Sequence, residues 1–145
     1  MRALLRSTFN NVTTKPNRSE CLRAVGQVMN DGPDRATIES AARRLSQRTS
    51  RPVFCTLGED GILVVTGDRA DHVPGFRVTG SIDIVGAGDS TTAGIVCALC
   101  AGTDPLDAAA FGNLVASITI RQIGTTGTAT PEQVLGRWRE ISASI

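Results

Sequence analysis

The stretch Asp83-Ile84-Val85-Gly86-Ala87-Gly88-Asp89-Ser90 decides the reading of this chain. Two glycines separated by one alanine let the backbone turn tightly and approach a ligand closely. An extended run, Phe76 to Ile84, enters this loop, and an apolar helical pattern from about Ser90 to Ala101 leaves it. Such a junction aims free N–H groups and the positive end of the helix dipole back at the loop, which makes an anion site. Asp89 falls in the first helical turn, where an acid suits that dipole. In phosphoryl transfer, a carboxylate so placed takes the proton of an attacking hydroxyl, while glycine N–H groups hold charge on the moving phosphoryl group. The plain alternative is a glycine-rich turn with Asp89 as an ordinary first-turn acid. A dinucleotide fingerprint fits worse, because Thr91 stands at its third glycine and Asp89 would repel a pyrophosphate. A P-loop is excluded, since no Gly-Lys-Ser/Thr follows at the required distance.

Working outward, strands and helices alternate. Val12 to Thr14 is a short extended run that breaks at Pro16. Ser19 is expected to cap a helix through about Asn30, with Glu20 in its first turn. Asn30-Asp31-Gly32-Pro33 reads as a turn. A helix from roughly Asp34 to Thr49 places Ile38, Ala41, Ala42 and Leu45 on one face. Pro52 to Leu57 is a short apolar strand of the kind buried on both faces of a parallel sheet. Ile62 to Thr66 and Ala70 to Val73 read as further strands, joined by a Gly67-Asp68 hairpin turn. Helices are expected again at Pro105 to Gln122 and Pro131 to Ser142. The alternation predicts an α/β fold with a parallel sheet, a β-hairpin and helices on both faces of the sheet.

Composition narrows the function. The chain has 145 residues and a formal charge of +1. A domain of this length buries roughly 70% of the surface that its unfolded chain exposes, so it needs no staples. The charge balance gives no sustained positive field for nucleic acid. Four Phe, one Trp and no Tyr make a poor base-stacking platform. The most apolar run, Ala93 to Ala101, is about half of a bilayer span. Met1 to Thr8 lacks an apolar signal-peptide core. A cytoplasmic location is therefore expected, with no membrane partner. Cys97 and Cys100 form a CxxC, but no second pair stands at zinc-site spacing and His72 is remote in sequence. All four cysteines, with Cys21 and Cys55, read as reduced, small, buried hydrophobes. His72 reads as a surface strand residue rather than a catalyst.

The octapeptide resembles the C-terminal signature of ribokinase-like (PfkB) carbohydrate kinases, and other segments match the family in order. Lys15-Pro16-Asn17-Arg18-Ser19-Glu20 is similar to its Pro-Asn segment with an Asn-x-x-Glu motif. Thr56-Leu57-Gly58-Glu59-Asp60-Gly61 resembles the strand-turn that borders the nucleotide. Phe111-Gly112-Asn113 resembles a helix beside the adenine, and Gly124-Thr125-Thr126-Gly127-Thr128 the closing loop. The match runs from about residue 2 to residue 135. The resemblance implies a three-layer α/β/α fold and ATP-dependent phosphoryl transfer to a sugar hydroxyl. It makes Asp89 the catalytic base and the Gly86-Ala87-Gly88 backbone the anion hole. It places Asn17, Thr56, Gly58, Gly61 and Asn113 at the nucleotide. Glu20 is implied at Mg²⁺, through water, since Mg²⁺ keeps most of its waters. Asp83 is read either as a ligand of K⁺ or another monovalent cation, or as a cap of the turn. Asn17 and Glu20 have the plainer reading of a turn and a helix-start acid, and Asn113 that of a buried asparagine satisfied locally.

Family members usually need about twice this length, and the resemblance covers only their C-terminal half. The sugar-binding residues, a paired-glycine motif and a small β-sheet lid have no place in this sequence. Met1-Arg2-Ala3 resembles a point just after a mid-chain strand. A parallel sheet cut there leaves an unpaired edge and an exposed apolar face. A homodimer, or a partner that supplies the N-terminal half, is therefore expected. The ending Gly-Thr-Thr-Gly-Thr-Ala-Thr-Pro-Glu and the Lys-Pro-Asn segment look most like heptose 7-phosphate kinases, with ribokinase-, fructokinase- and adenosine kinase-like members as the alternatives. A non-catalytic nucleotide-binding or interaction module derived from the kinase fold is the second reading. A nicotinamide-dependent oxidoreductase domain is a third, disfavoured by the broken glycine fingerprint.

Overall fold

A computed structural model describes residues 10–28 and 32–143. The Met1 to Thr8 segment, with its Met1-Arg2-Ala3 opening, and Asn30-Asp31 of the expected turn lie outside them. The chain divides into two compact units, Met1–Gly58 with Ile62–Val73 and Glu59–Gly61 with Pro74–Ile145.

The first unit opens with α1, Arg18–Ala24. Its N-cap is Asn17, not the expected Ser19. The Asn17 side chain accepts from the Glu20 N–H at 2.9 Å, and Glu20 Oε2 accepts from the Asn17 N–H at 2.8 Å. This reciprocal pair is a capping box, worth about 1 kcal/mol of helix stability. The helix ends at Ala24, short of the expected Asn30, because Gly26 takes a left-handed φ of 79°. The Gln27 N–H then reaches Leu22 O at 2.9 Å and the Gly26 N–H reaches Arg23 O at 3.1 Å. That Schellman closure satisfies carbonyls the helix would otherwise leave open.

Helix α2, Arg35–Thr49, starts at an Asp34 N-cap and buries Ile38, Ala41, Ala42 and Leu45 as expected. It packs on a sheet of β1 (Val53–Thr56), β2 (Ile62–Thr66) and β3 (Arg69–Val73). Both named pairings are antiparallel, with Val53 opposite Val65 and Ile62 opposite Val73. Parallel pairing lies on the other side of β1, as bridges Thr14–Val53 and Asn17–Thr56. There the Phe54 N–H donates to Thr14 O and the Thr56 N–H to Pro16 O, each at 2.9 Å. Pro16 has no N–H to return. The expected parallel strand is thus reduced to two bridges, and the sheet is parallel only at this side.

Alternate residues of the sheet divide between its faces. Val53, Cys55, Leu63 and Val65 join Cys21, Leu22, Ile38, Ala41, Ala42 and Leu45 in one apolar core. Phe54, Ile62 and Val64 point the other way and are also buried. Burial of each such side chain contributes roughly 1.5–3 kcal/mol. β1 leaves through a single 3₁₀ turn, Gly58–Asp60.

The second unit is helical. α3 spans Ala87–Cys100, α4 Pro105–Thr119 and α5 Pro131–Ser142. α3 begins a turn earlier than Ser90, since the loop glycine Gly86 is itself the N-cap. α4 starts at Asp104 with Pro105 in its first turn, and α5 at a Thr130–Gln133 capping box. Small residues bring α3 and α4 together: a Cβ on Gly94 would stand 2.9 Å from Gly112 Cα. Arg137 ties α5 down, with Nε donating to Ser117 Oγ at 3.2 Å and a terminal nitrogen to Arg77 O at 2.8 Å. Cys21 and Cys55 are buried as expected, but Cys97 and Cys100 are exposed, because they fall on the outer face of α3. His72 lies on β3, half-buried.

Candidate active site

The loop before α3 is built by sequence-local forces. Ile84 O accepts the Ala87 N–H at 3.1 Å, and Gly86 turns the chain at φ 79°. Its carbonyl then accepts the Ser90 N–H at 2.9 Å and opens the helix. Among the described residues, the N–H groups of Gly88 and Asp89 have no acceptor. They are the orphan donors of a helix start, directed at the solvent side of the loop. Asp89 is exposed in the same turn. An exposed carboxylate beside unfilled amides can take a proton and bind an anion in one place. Thr91 and Thr92 turn their hydroxyls back onto Ala87 O and Gly88 O, both at 2.8 Å. They extend the helix rather than open a dinucleotide turn.

Asp83 holds this loop to the one after α4. Its Oδ1 accepts the Val85 N–H at 3.0 Å and its Oδ2 the Gly124 N–H at 2.9 Å. Its own N–H donates to Ile120 O at 2.7 Å. The Val85 and Gly124 amides, in that order, hold its carboxyl below the ordinary carboxylate range. With one amide on each oxygen, the geometry is that of the turn cap, the plainer of the two readings.

Gln122, which sequence reasoning took only as a helix end, completes the closing loop. The Gln122 amide donates to Thr128 O at 2.7 Å and accepts the Thr128 N–H at 3.1 Å. It acts as a short surrogate strand across residues 123–127. Thr126 approaches the anion loop, with its Cγ2 3.3 Å from where a Gly86 Cβ would be. Asn113 is buried on α4, and its Nδ2 donates to Pro74 O at 3.0 Å. That local bond is the plainer reading of this residue.

The remaining candidates belong to the first unit or the turn that leaves it. Asn17 and Glu20 form the capping box of α1, so their plainer reading describes what they do in the fold. Glu20 Oε1 makes no hydrogen bond among the described residues, which leaves an exposed oxygen suited to water around a cation. Thr56 pairs with Asn17 across the parallel bridge, one residue from the core thiol of Cys55. Gly58 opens the 3₁₀ turn and Gly61 follows it, at φ 70° and 94°, values that favour glycine. Among the described residues, no cluster of His, Cys, Asp or Glu could hold a metal by itself, and no helix is long and apolar enough to cross a membrane.

The family model for pfkB family carbohydrate kinases matches residues 4–133. The chain belongs to that family. It is 38% identical over 118 residues to a 1-phosphofructokinase of Haloferax volcanii, covering 81% of this chain and 36% of that protein. It is 33% identical over 131 residues to the bifunctional protein HldE of Acidiphilium cryptum, covering 90% of this chain and 26% of that one. Among solved structures, the ribokinase of Thermotoga maritima superposes with a TM-score of 0.74 at 25% identity, over 88% of this chain and 42% of that one. The chain therefore spans about a third or less of these two sequence relatives, and its fold is a portion of the ribokinase-like fold.

Proposed function

We propose that this chain carries the nucleotide-binding and catalytic-base portion of an ATP-dependent sugar kinase. The observation that supports it is the start of α3, where the Gly88 and Asp89 amides are unfilled and the Asp89 carboxylate is exposed beside them. Asp89 takes the proton of the sugar hydroxyl as that oxygen attacks the γ-phosphate of ATP in line. The Gly86-Ala87-Gly88 backbone holds the charge that develops on the transferring group. The nucleotide contacts in this proposal are those that the family resemblance assigns to Asn17, Thr56, Gly58, Gly61 and Asn113. Mg²⁺, which neutralises phosphate charge, fits Glu20 through water, because one oxygen of Glu20 is committed to the α1 cap. Asp83 serves as the tie between loops in preference to a ligand of K⁺.

The acceptor is a sugar phosphate in this reading. It rests on the kinship with a 1-phosphofructokinase and on the resemblance of residues 124–132 and 15–17 to heptose 7-phosphate kinases. The residues that choose the sugar lie outside this sequence, in a portion supplied by a longer polypeptide or by a partner. The working enzyme is a cytoplasmic homodimer in this proposal.

Calorimetry with Mg·ATP on the chain and on Asp89→Asn tests the nucleotide half. Both should bind. Joining the chain to a sugar-binding portion and offering a panel of sugars and sugar phosphates tests the chemistry, with turnover lost in Asp89→Asn. Absence of Mg·ATP binding in both forms would sink the proposal. Binding without turnover in the completed protein would favour a non-catalytic nucleotide module.

A further inference from the structure

Outside the kinase site, the first unit holds two nucleophiles that nothing above employs. Cys21 and Cys55 are both free, and both are 0% exposed. Cys21 sits in α1, one turn beyond Asn17, and its N–H donates to Asn17 O at 2.8 Å. Asn17 pairs across the parallel bridge with Thr56, the neighbour of Cys55 in β1. The backbone thus brings the two residues to the same place, and their side chains share one core cluster. The two side chains meet within that cluster, although their residues stand 34 positions apart in sequence.

Two isolated buried thiols are small hydrophobes and inert. A facing pair differs, because the S–H of one can donate to the sulfur of the other and stabilise it as a thiolate once its own proton has left to solvent. The bond between them holds the Cys21 thiol below its ordinary range, and the same bond, with burial, pushes Cys55 far up. Arg18 and Lys15 add positive charge near Cys55, which favours a thiolate in the pair, while burial opposes one.

We infer that Cys21 and Cys55 are a redox-active dithiol that closes to an intrachain disulfide, fastening α1 to β1. With hydrogen peroxide as the two-electron oxidant, the Cys21 thiolate attacks one peroxide oxygen. The O–O bond breaks, and the departing hydroxide takes a proton to become water, leaving a sulfenic acid on Cys21. The Cys55 sulfur attacks that sulfur and forms the S–S bond. The second hydroxide leaves with the Cys55 proton as water. Two thiols and one peroxide give one disulfide and two waters. Because α1 is only seven residues long, its local opening admits the oxidant. The closed bond constrains the unfolded chain between residues 21 and 55 and stabilises the first unit. It also fixes the Asn17–Glu20 helix start against Thr56, whether or not the kinase reading holds.

The test uses the full chain with Cys97→Ser and Cys100→Ser, so that only the inner pair remains. The folded protein is treated with peroxide and analysed by intact mass, non-reducing peptide mapping and thermal melting. The expected result is a monomer lighter by two hydrogens, a peptide pair linked through Cys21 and Cys55, and a raised melting temperature that dithiothreitol reverses. Two thiols that stay titratable would overturn the inference. So would oxygen added to Cys21 without a cross-link, or disulfides formed only between chains.

Discussion

The carboxylate of Asp83 and the amide of Gly124, 41 residues apart, meet at 2.9 Å and join the Gly86 loop to the loop after α4. The same carboxylate takes the Val85 amide on its other oxygen. One side chain therefore fixes two loops that no strand connects.

Asp83 should make that junction sensitive to acid. Its carboxyl lies below the ordinary carboxylate range in the folded chain, through the Val85 and Gly124 amides. A group with a depressed folded value contributes stability above its unfolded value, near 4 for aspartate. That contribution is lost as pH falls through the folded value. The protection factor of the Gly124 amide, its exchange relative to the intrinsic rate at each pH, should fall through this acid window in the native chain. In Asp83→Asn it should be low and nearly flat with pH, because the amide side chain cannot accept at both positions. Equal protection in the two proteins would refute the tie.

The capping box separates structure from metal binding. Asn17→Ala removes the acceptor of the Glu20 N–H and should cost about 1 kcal/mol in denaturant unfolding. Glu20→Gln keeps an oxygen for the Asn17 N–H, so stability should change by no more than a few tenths of a kcal/mol, since glutamine also completes a capping box. Under the proposed Mg²⁺ role, Glu20→Gln should nonetheless weaken Mg·ATP in calorimetry and leave metal-free ATP binding unchanged. Matched losses with and without Mg²⁺ would assign Glu20 to the helix cap alone.

Gly86 is held at φ 79°, where a side chain on an L-residue costs roughly 1–2 kcal/mol. Its Cβ would also press Thr126 Cγ2 at 3.3 Å. Gly86→Ala should lower the melting temperature and weaken Mg·ATP binding together. Gly67→Ala, at φ 59° in the β2–β3 turn with nothing within 4 Å, should lose comparable stability without affecting the nucleotide. If both variants bind Mg·ATP like the parent, the anion loop is misassigned.

These residues also show what the sequence disclosed. α2 was legible because Ile38, Ala41, Ala42 and Leu45 repeat at helical spacing behind an aspartate cap. The glycine loop was legible because its donors and its acid are neighbours in sequence. The start of α1 was ambiguous, since Asn17 and Ser19 are both capping types, and only the Asn17-x-x-Glu20 spacing marks a capping box. Its early end depended on Gly26 turning left-handed. The extent of parallel pairing beside β1 hinged on the missing N–H of Pro16. The Asp83–Gly124 tie joins residues 41 positions apart and the Gln122–Thr128 pair closes a loop of six, and no sequence pattern announces either. The exposure of Cys97 and Cys100 followed from which face of α3 meets α4, which a helix apolar almost all round does not reveal.

The last prediction concerns that contact of α3 with α4. A Cβ at Gly94 would lie 2.9 Å from Gly112 Cα and 3.2 Å from Val115 Cγ2, whereas carbon atoms rest at about 3.5–4.0 Å. Backbone stands on one side of the intruding methyl, so relief requires the two helices to separate. Gly94→Ala should therefore cost roughly 1–3 kcal/mol in denaturant unfolding, despite the better helix propensity of alanine. Gly136→Ala in α5 meets nothing within 4 Å and should stabilise by about 0.5–1 kcal/mol on propensity alone. Opposite signs would show that close packing governs Gly94, while a gain in both would mean that the helices stand further apart than the structure places them.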